Sequence, residues 1–415
     1  MLNRPPKEKR WVSWLYVVIW SLIIFVTIPF ALVLQEFVVQ LGGREAFIYA
    51  VIATIASAIV ASAVYLRHVA ASGERYVWLL AVGAIFIGYT ITLGEIPAEA
   101  IHFIQYGLLG VLIYRALIHR INDISIYVAA ALIGGIVGML DELIQWITPE
   151  RFWGLNDIWI NFFAASLVQV GIAKGLGPSL IFGWHGGKNL RFLCGLTMVA
   201  VFILGVSMLN TPERISWYAE RVTFLSFLKK NESVMVEYGY AYKDPDIGIF
   251  RSRFSPKELN EVDRTRAKGA AVILGNYQEG IKYRQFLKTY TSLSDPFVHE
   301  TVVHLFCRDS HLSSSTSYKE DTKKYAENLT VAYRENQILE KYFSHTLHHT
   351  PFVWSADTLS LAKRHLLRDK TYDSWVSRSV ITRFKEGQVA VFFALLFIGL
   401  ALVHWYLGAG KSSRP

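Results

Sequence analysis

Charge is scarce in this chain and cysteine nearly absent. Only 18% of its 415 residues are Asp, Glu, Lys or Arg, against roughly a quarter in soluble domains. The two cysteines, Cys194 in an apolar stretch and Cys307 in a polar one, fall in segments expected on opposite sides of a membrane, which excludes a disulfide framework and a cysteine-built zinc site. A Gly-rich phosphate loop is also missing: Gly134, Gly135 and Gly138 lie inside an apolar run, where close helix packing accounts for them. Without a Gly-flanked serine there is no nucleophile elbow. The net charge of +9 is spread over many short loops and one mixed-charge segment. With no cluster of basic and aromatic residues on one element, nucleic acid is not an expected partner, and no cofactor motif is present.

What the chain does have is apolar length. With 53% hydrophobic residues, it contains eight runs near the roughly 20 residues a helix needs to cross hydrocarbon. They lie near Trp11 to Leu34, Ala46 to Leu66, Val77 to Leu93, Pro97 to Ile118, Ser125 to Ile147, Asp157 to Leu176, Phe192 to Leu209 and Val389 to Leu407. The first is too long, and lacks the small-residue cleavage site, for a removable signal peptide. Trp11, Trp14, Trp78, Trp146, Trp153, Trp159 and Trp405 stand near run ends and are expected to anchor at the headgroups.

Lys and Arg in short loops mark the cytoplasmic side. Arg4, Lys7, Lys9 and Arg10 before the first run agree with Arg67 and Arg75, Arg115 and Arg120, Lys174, Lys188 and Arg191, and Lys411 and Arg414. Both termini are therefore expected in the cytoplasm. The loops at 35–45, 94–95 and 148–155 fall outside, together with the long polar segment.

Ionisable groups inside spans cost several kcal/mol unless they are paired or reach water, so they are functional candidates by default. Here they cluster. Glu99 and His102 are three apart on the fourth run, and Glu142 and Gln145 three apart on the fifth, with Asp141 beside them. Arg151 follows Pro149, and Asp157 and Asn161 open the sixth run four apart. Helical spacing puts each pair on one face, and Glu99, His102, Glu142, Gln145, Arg151, Asp157 and Asn161 all fall at one depth, in the outer third of the bundle. Simple pairing puts Arg151 on Glu142 or Asp157 and His102 on Glu99. The plainer reading has Asn156 or Asp157 capping the sixth helix while Arg151 snorkels to headgroups. One histidine with no close-spaced ligand pair does not make a metal site.

As a string, Glu142-Leu-Ile-Gln145-Trp-Ile-Thr-Pro149-Glu-Arg151, then Asp157-Ile-Trp-Ile-Asn161, resembles the signature of the VanZ-like family. The upstream Glu99-Ala-Ile-His102-Phe-Ile-Gln-Tyr106 is similar to that family's preceding helix. Ala164 and Ala165 stand where the family commonly has a glycine, and small residues still permit close approach. The resemblance covers residues 96–177. It implies a multi-pass protein of the bacterial inner membrane and cell envelope, in a family named after a member linked to glycopeptide resistance and with no settled activity.

The polar segment 211–386 reads as mainly helical. Ser255-Pro-Lys-Glu258 has the form of a capped helix start with proline at the first turn. Tyr318 to Leu347 is amphipathic, with shorter helices expected at Thr358 to Leu367 and Tyr372 to Phe384, an extended piece at Met235 to Tyr242, and a loop at Ser313 to Ser317 leading into the long helix. His299-Glu300-Thr-Val-Val-His304 imitates a zinc-protease helix but fails on spacing: five residues turn the second histidine about 140° from the first. Asp295 and Asp309 beside it, and His345, His348 and His349, have no telling ligand partner.

The expectation is an all-α polytopic membrane protein of five parts: amino-terminal spans 1–95, the core 96–177, a cytoplasmic loop and seventh span 178–210, a mainly α extracytoplasmic domain 211–386, and a last span with cytoplasmic tail 387–415. Its environment is the lipid bilayer. Two functions fit: binding of a lipid or cell-wall precursor at the polar cluster, with 211–386 recognising an envelope protein, or acid/base chemistry on a lipid-linked substrate. A transporter fits less well, since the polar residues stop short of the cytoplasmic half.

Overall fold

The computed structural model describes residues 7–93, 97–149, 151–183, 189–230, 234–277, 281–320, 322–367 and 371–409, without the side chains of 31–39, 41–47, 97–99, 230 and 281. Among these, eight helices are long and apolar enough to cross a membrane, so the chain is a multi-pass membrane protein. Its residues divide into two compact units, Met1–Val206 with Phe392–Pro415, and Ser207–Val391.

The first unit holds α1 (Arg10–Thr27), α2 (Ala31–His68), α3 (Gly73–Thr92), α4 (Pro97–Leu117), α5 (Ser125–Trp146), α6 (Leu155–Val170), α7 (Leu190–Met208) and most of α15 (Glu386–Ala409). Helix α4 is central, packed on α1, α2, α5 and α6, with Phe103, Tyr106, Leu109 and Ile113 wholly buried. Outer helices carry apolar residues on their open faces, as at Leu395, Leu402 and Trp405 of α15. In water such faces would aggregate; in hydrocarbon they cost nothing. One sequence expectation fails here. The loop at 35–45 is part of α2, because after Pro29 that stretch has only Gly42 and Gly43 as weak helix breakers. Helix α6 runs into a π turn (Gly171–Leu176), closed by Gly177 at φ +51°. A side chain at Gly177 would meet the Arg75 guanidinium.

The second unit is mainly helical around one hairpin. It comprises α8 (Pro212–Arg221), β1 (Tyr240–Asp244), β2 (Gly248–Ser252), α9 (Pro256–Leu274), α10 (Ile281–Thr289), α11 (Pro296–Ser315), α12 (Lys323–Tyr342), α13 (Ser344–Leu347) and α14 (Ala356–Arg364). Strands β1 and β2 pair antiparallel with Tyr242 opposite Phe250, and the Asp244 carboxylate closes the turn by accepting the N–H groups of Asp246 and Ile247. Ser255 caps α9 in a full capping box with Glu258. Phe250, Phe297, Val302, Ile338 and Phe343 form the core between the hairpin and the α11–α12 pair.

Two expectations, one of a loop and one of a helix, give way in this unit. Ser313–Ser315, expected in a loop, finish α11, and Thr322 caps α12. The segment 372–384 is not helical: it bridges to β2 at Asp373 and to the segment before β1 at Ile381, with a turn at 376–379 between the two contacts. Ser374 N–H bonds Ile249 O, and Ile381 N–H bonds Glu237 O, so its backbone is satisfied by strand edges instead of by a helix.

Candidate functional site

Helices α4, α5 and α6 pack against one another, and small residues set how closely. A Cβ added at Gly134 would stand 2.7 Å from Ala165 Cβ, at Gly135 2.7 Å from Phe162 Cδ2, and at Gly138 2.8 Å from Asn161 Cβ. The stripe of glycines on α5 therefore admits the backbone of α6 to near contact. Gln169 on α6 also donates to Gly110 O of α4 at 3.0 Å. This close packing brings the last two turns of α5 level with the first two of α6 and the early part of α4.

At that end the predicted residues meet. Glu142, wholly buried, accepts from Gln145 Nε2 at 2.8 Å and from the Gly154 N–H at 2.9 Å. Gln145 accepts in turn from the Arg151 guanidinium at 2.5 Å. Arg151 thus reaches Glu142 through the amide of Gln145, and not by the direct pairing expected. His102 Nδ1 lies 3.7 Å from Asp141 Oδ2; the side chain of its expected partner Glu99 falls outside the described residues. Asp157 stands half-buried on the first turn of α6, and Asn161 is buried one turn on.

The capping explanation does not hold. Gly154 is the N-cap of α6, with no side-chain cap hydrogen bond, so Asn156 and Asp157 are not used for that purpose. Nor is Trp146 an interface anchor: it is buried at 3% exposure, and Trp153 keeps its Nε1 buried. Trp11, Trp159 and Trp405 are well exposed, as anchors require.

Several polar atoms at this end are buried with no hydrogen-bond partner among the described residues. They are both amide atoms of Asn161, Arg151 Nε and Trp153 Nε1, whereas the Tyr106 hydroxyl and the Asp141 carboxylate face each other. Folded proteins leave few such groups, and each costs about 1–3 kcal/mol. Asp141, Tyr106 and Trp153 were not singled out as site residues by spacing. The signal for Asp141 was its position beside Glu142, since successive helical residues point about 100° apart and so address different neighbours.

Toward the other end of the unit polar groups are used locally: Asp123 accepts from the Ser125 N–H and from Asn189 at the start of α5. Among the described residues no three of His, Cys, Asp and Glu gather closely enough to hold a metal ion. In the second unit the imitated zinc motif disperses. His299 Nδ1 bonds Tyr290 O at 3.0 Å, Glu300 accepts the Arg253 N–H at 3.2 Å, and His304 Nδ1 bonds Glu335 at 2.6 Å. No protein-family model, curated protein or solved structure matches this chain.

Proposed function

We propose that this is a VanZ-like integral membrane protein of the bacterial inner membrane, whose polar cluster binds a lipid or a cell-wall-related ligand. Both termini lie in the cytoplasm and 211–386 outside, on the distribution of Lys and Arg. The cluster then lies on the outer-leaflet side. One observation carries the reading: where α5 turns into α6, the Asn161 amide, Arg151 Nε and Trp153 Nε1 are buried without a hydrogen-bond partner among the described residues. A network that served only to lock helices would be satisfied internally. Arg151 Nε and Trp153 Nε1 offer donors to a phosphate or carboxylate, while Asn161 offers an acceptor to a hydroxyl or amide group. Residues 211–386 are the part available to an envelope protein partner.

The His102–Asp141 pair supports a second reading, acid/base chemistry on a lipid-linked substrate. Glu142→Gln and Arg151→Ala variants separate a site from structural glue. Binding predicts normal membrane abundance, loss of the wild-type envelope phenotype, including any effect on glycopeptide sensitivity, and loss of a co-purifying lipid. Disappearance of both variants from the membrane contradicts it. Asp141→Asn distinguishes the second reading, since an enzyme blocked in chemistry retains its co-purifying ligand. A cysteine introduced at exposed Ser360, with both native cysteines replaced, reports orientation: labelling by an impermeant maleimide only after inner-membrane lysis refutes the outward placement.

A further inference from the structure

The second unit holds a cleft of about 1140 Å³, independent of the helix cluster. Its place is fixed by two spans. Tyr238 on its wall donates to Met208 O, at 2.7 Å, and Met208 is the last residue of the seventh span. Lys385, Glu386 and Gln388, which also line it, are the approach and first turn of the eighth, which begins at Glu386. Arg214, just past the seventh span, forms an ion pair with Glu386. The cleft therefore sits where two membrane helices leave hydrocarbon, at headgroup depth. Exposed Phe384 and Tyr240 line it, as aromatic rings favour at that depth.

Its charge is one-sided. Four cations line it, Lys243, Arg251, Arg383 and Lys385, against the single carboxylate of Glu386. Two of these five charges are committed, Arg251 to Asp373 and Glu386 to Arg214. Lys243, Arg383 and Lys385 remain, all exposed and with no side-chain partner among the described residues. On β1, Ala241 pairs with Arg251 and Lys243 with Ile249, so Lys243 and Arg251 share one face of the hairpin. The volume is somewhat above the usual range of small-molecule sites, larger than a bare phosphate needs and roomy enough for a phosphate bearing a glycerol or sugar.

We infer that this cleft binds the phosphate-bearing headgroup of an anionic membrane ligand, with Lys243, Arg383 and Lys385 holding the phosphate and Tyr240 and Phe384 against its organic part. This is a site separate from the helix cluster and does not depend on it.

The test uses full-length protein in a neutral detergent and follows its melting temperature. Three probes are titrated: dioctanoyl phosphatidylglycerol, dioctanoyl phosphatidylcholine and inorganic pyrophosphate. The wild type is expected to be stabilised by the anionic lipid and not by the zwitterionic one. In Lys243→Gln/Arg383→Gln/Lys385→Gln the half-saturating concentration rises roughly tenfold or more, with the ligand-free melting temperature unchanged. If the triple variant fails to accumulate, Lys385→Gln alone carries the same comparison with a smaller shift. A phosphatidylglycerol titration identical in wild type and variant overturns the proposal, as does equal stabilisation by phosphatidylcholine. Where the cation-dependent response holds, pyrophosphate identifies the source: full reproduction by it assigns the site to a soluble phosphate, and a response confined to the lipid assigns it to a headgroup.

Discussion

His299 shows how burial sets the behaviour of a single side chain. Its ring is buried on α11, with Nδ1 held by Tyr290 O. Desolvation first, and the nearby Arg253 guanidinium second, lower its pKa from 6.5 to about 4. The unfolded chain takes up this proton near pH 6.5 and the folded one only near 4. The stability contributed by the neutral ring is therefore complete above about pH 6.5 and is lost as pH falls toward 4, by about 3 kcal/mol. A His299→Gln variant is expected to flatten the fall in melting temperature between pH 6.5 and 4; an unchanged slope would place that pH sensitivity on other groups. The same attention to individual neighbours marks the limit of sequence reading. The spacing of Glu142, Gln145 and Arg151 revealed that they meet. That Gln145 stands between the other two, and that Asp141 turns toward His102, depended on how α4 and α5 pack, which periodicity along one helix does not encode.

Eight apolar runs correspond to eight membrane-length helices because length and hydropathy alone decide that question. The hairpin was harder to see. Tyr240–Asp244 alternates weakly, Gly248–Ser252 is only five residues, and the turn between them depends on the Asp244 side chain accepting two backbone N–H groups. Residues 372–384 have a helical pattern but form two bridges on either side of a turn, since β2 and the segment before β1 offer backbone edges to Asp373 and Ile381. Glycine placement was legible: Gly134, Gly135 and Gly138, read as packing glycines from their place inside an apolar run, do form a close-packed stripe. Gly138→Leu places a side chain against Asn161 Cβ, where even a Cβ comes to 2.8 Å. It is expected to destabilise the α5–α6 pair by about 1–3 kcal/mol, seen as a lowered melting temperature in detergent. No loss would mean that the two helices separate more readily than their geometry implies.

The whole molecule combines a multi-pass bundle with a second, mainly helical unit inserted between its seventh and eighth spans. The bundle keeps hydrogen-bonding capacity unused at one end, and that is the feature on which a binding role rests. Natural proteins accept such destabilising arrangements where function needs them. Asn161 is the sharpest case, 1% exposed with both amide atoms unpaired. The most direct test is the melting temperature of Asn161→Leu, close in size and free of polar atoms, measured with the envelope phenotype of the same variant. A ligand site predicts that the ligand-free protein melts at or above the wild-type temperature, with a gain of up to about 1–3 kcal/mol, while the phenotype is lost. A clear fall in melting temperature with the phenotype intact would contradict it, and would make the cluster a structural joint of α4, α5 and α6.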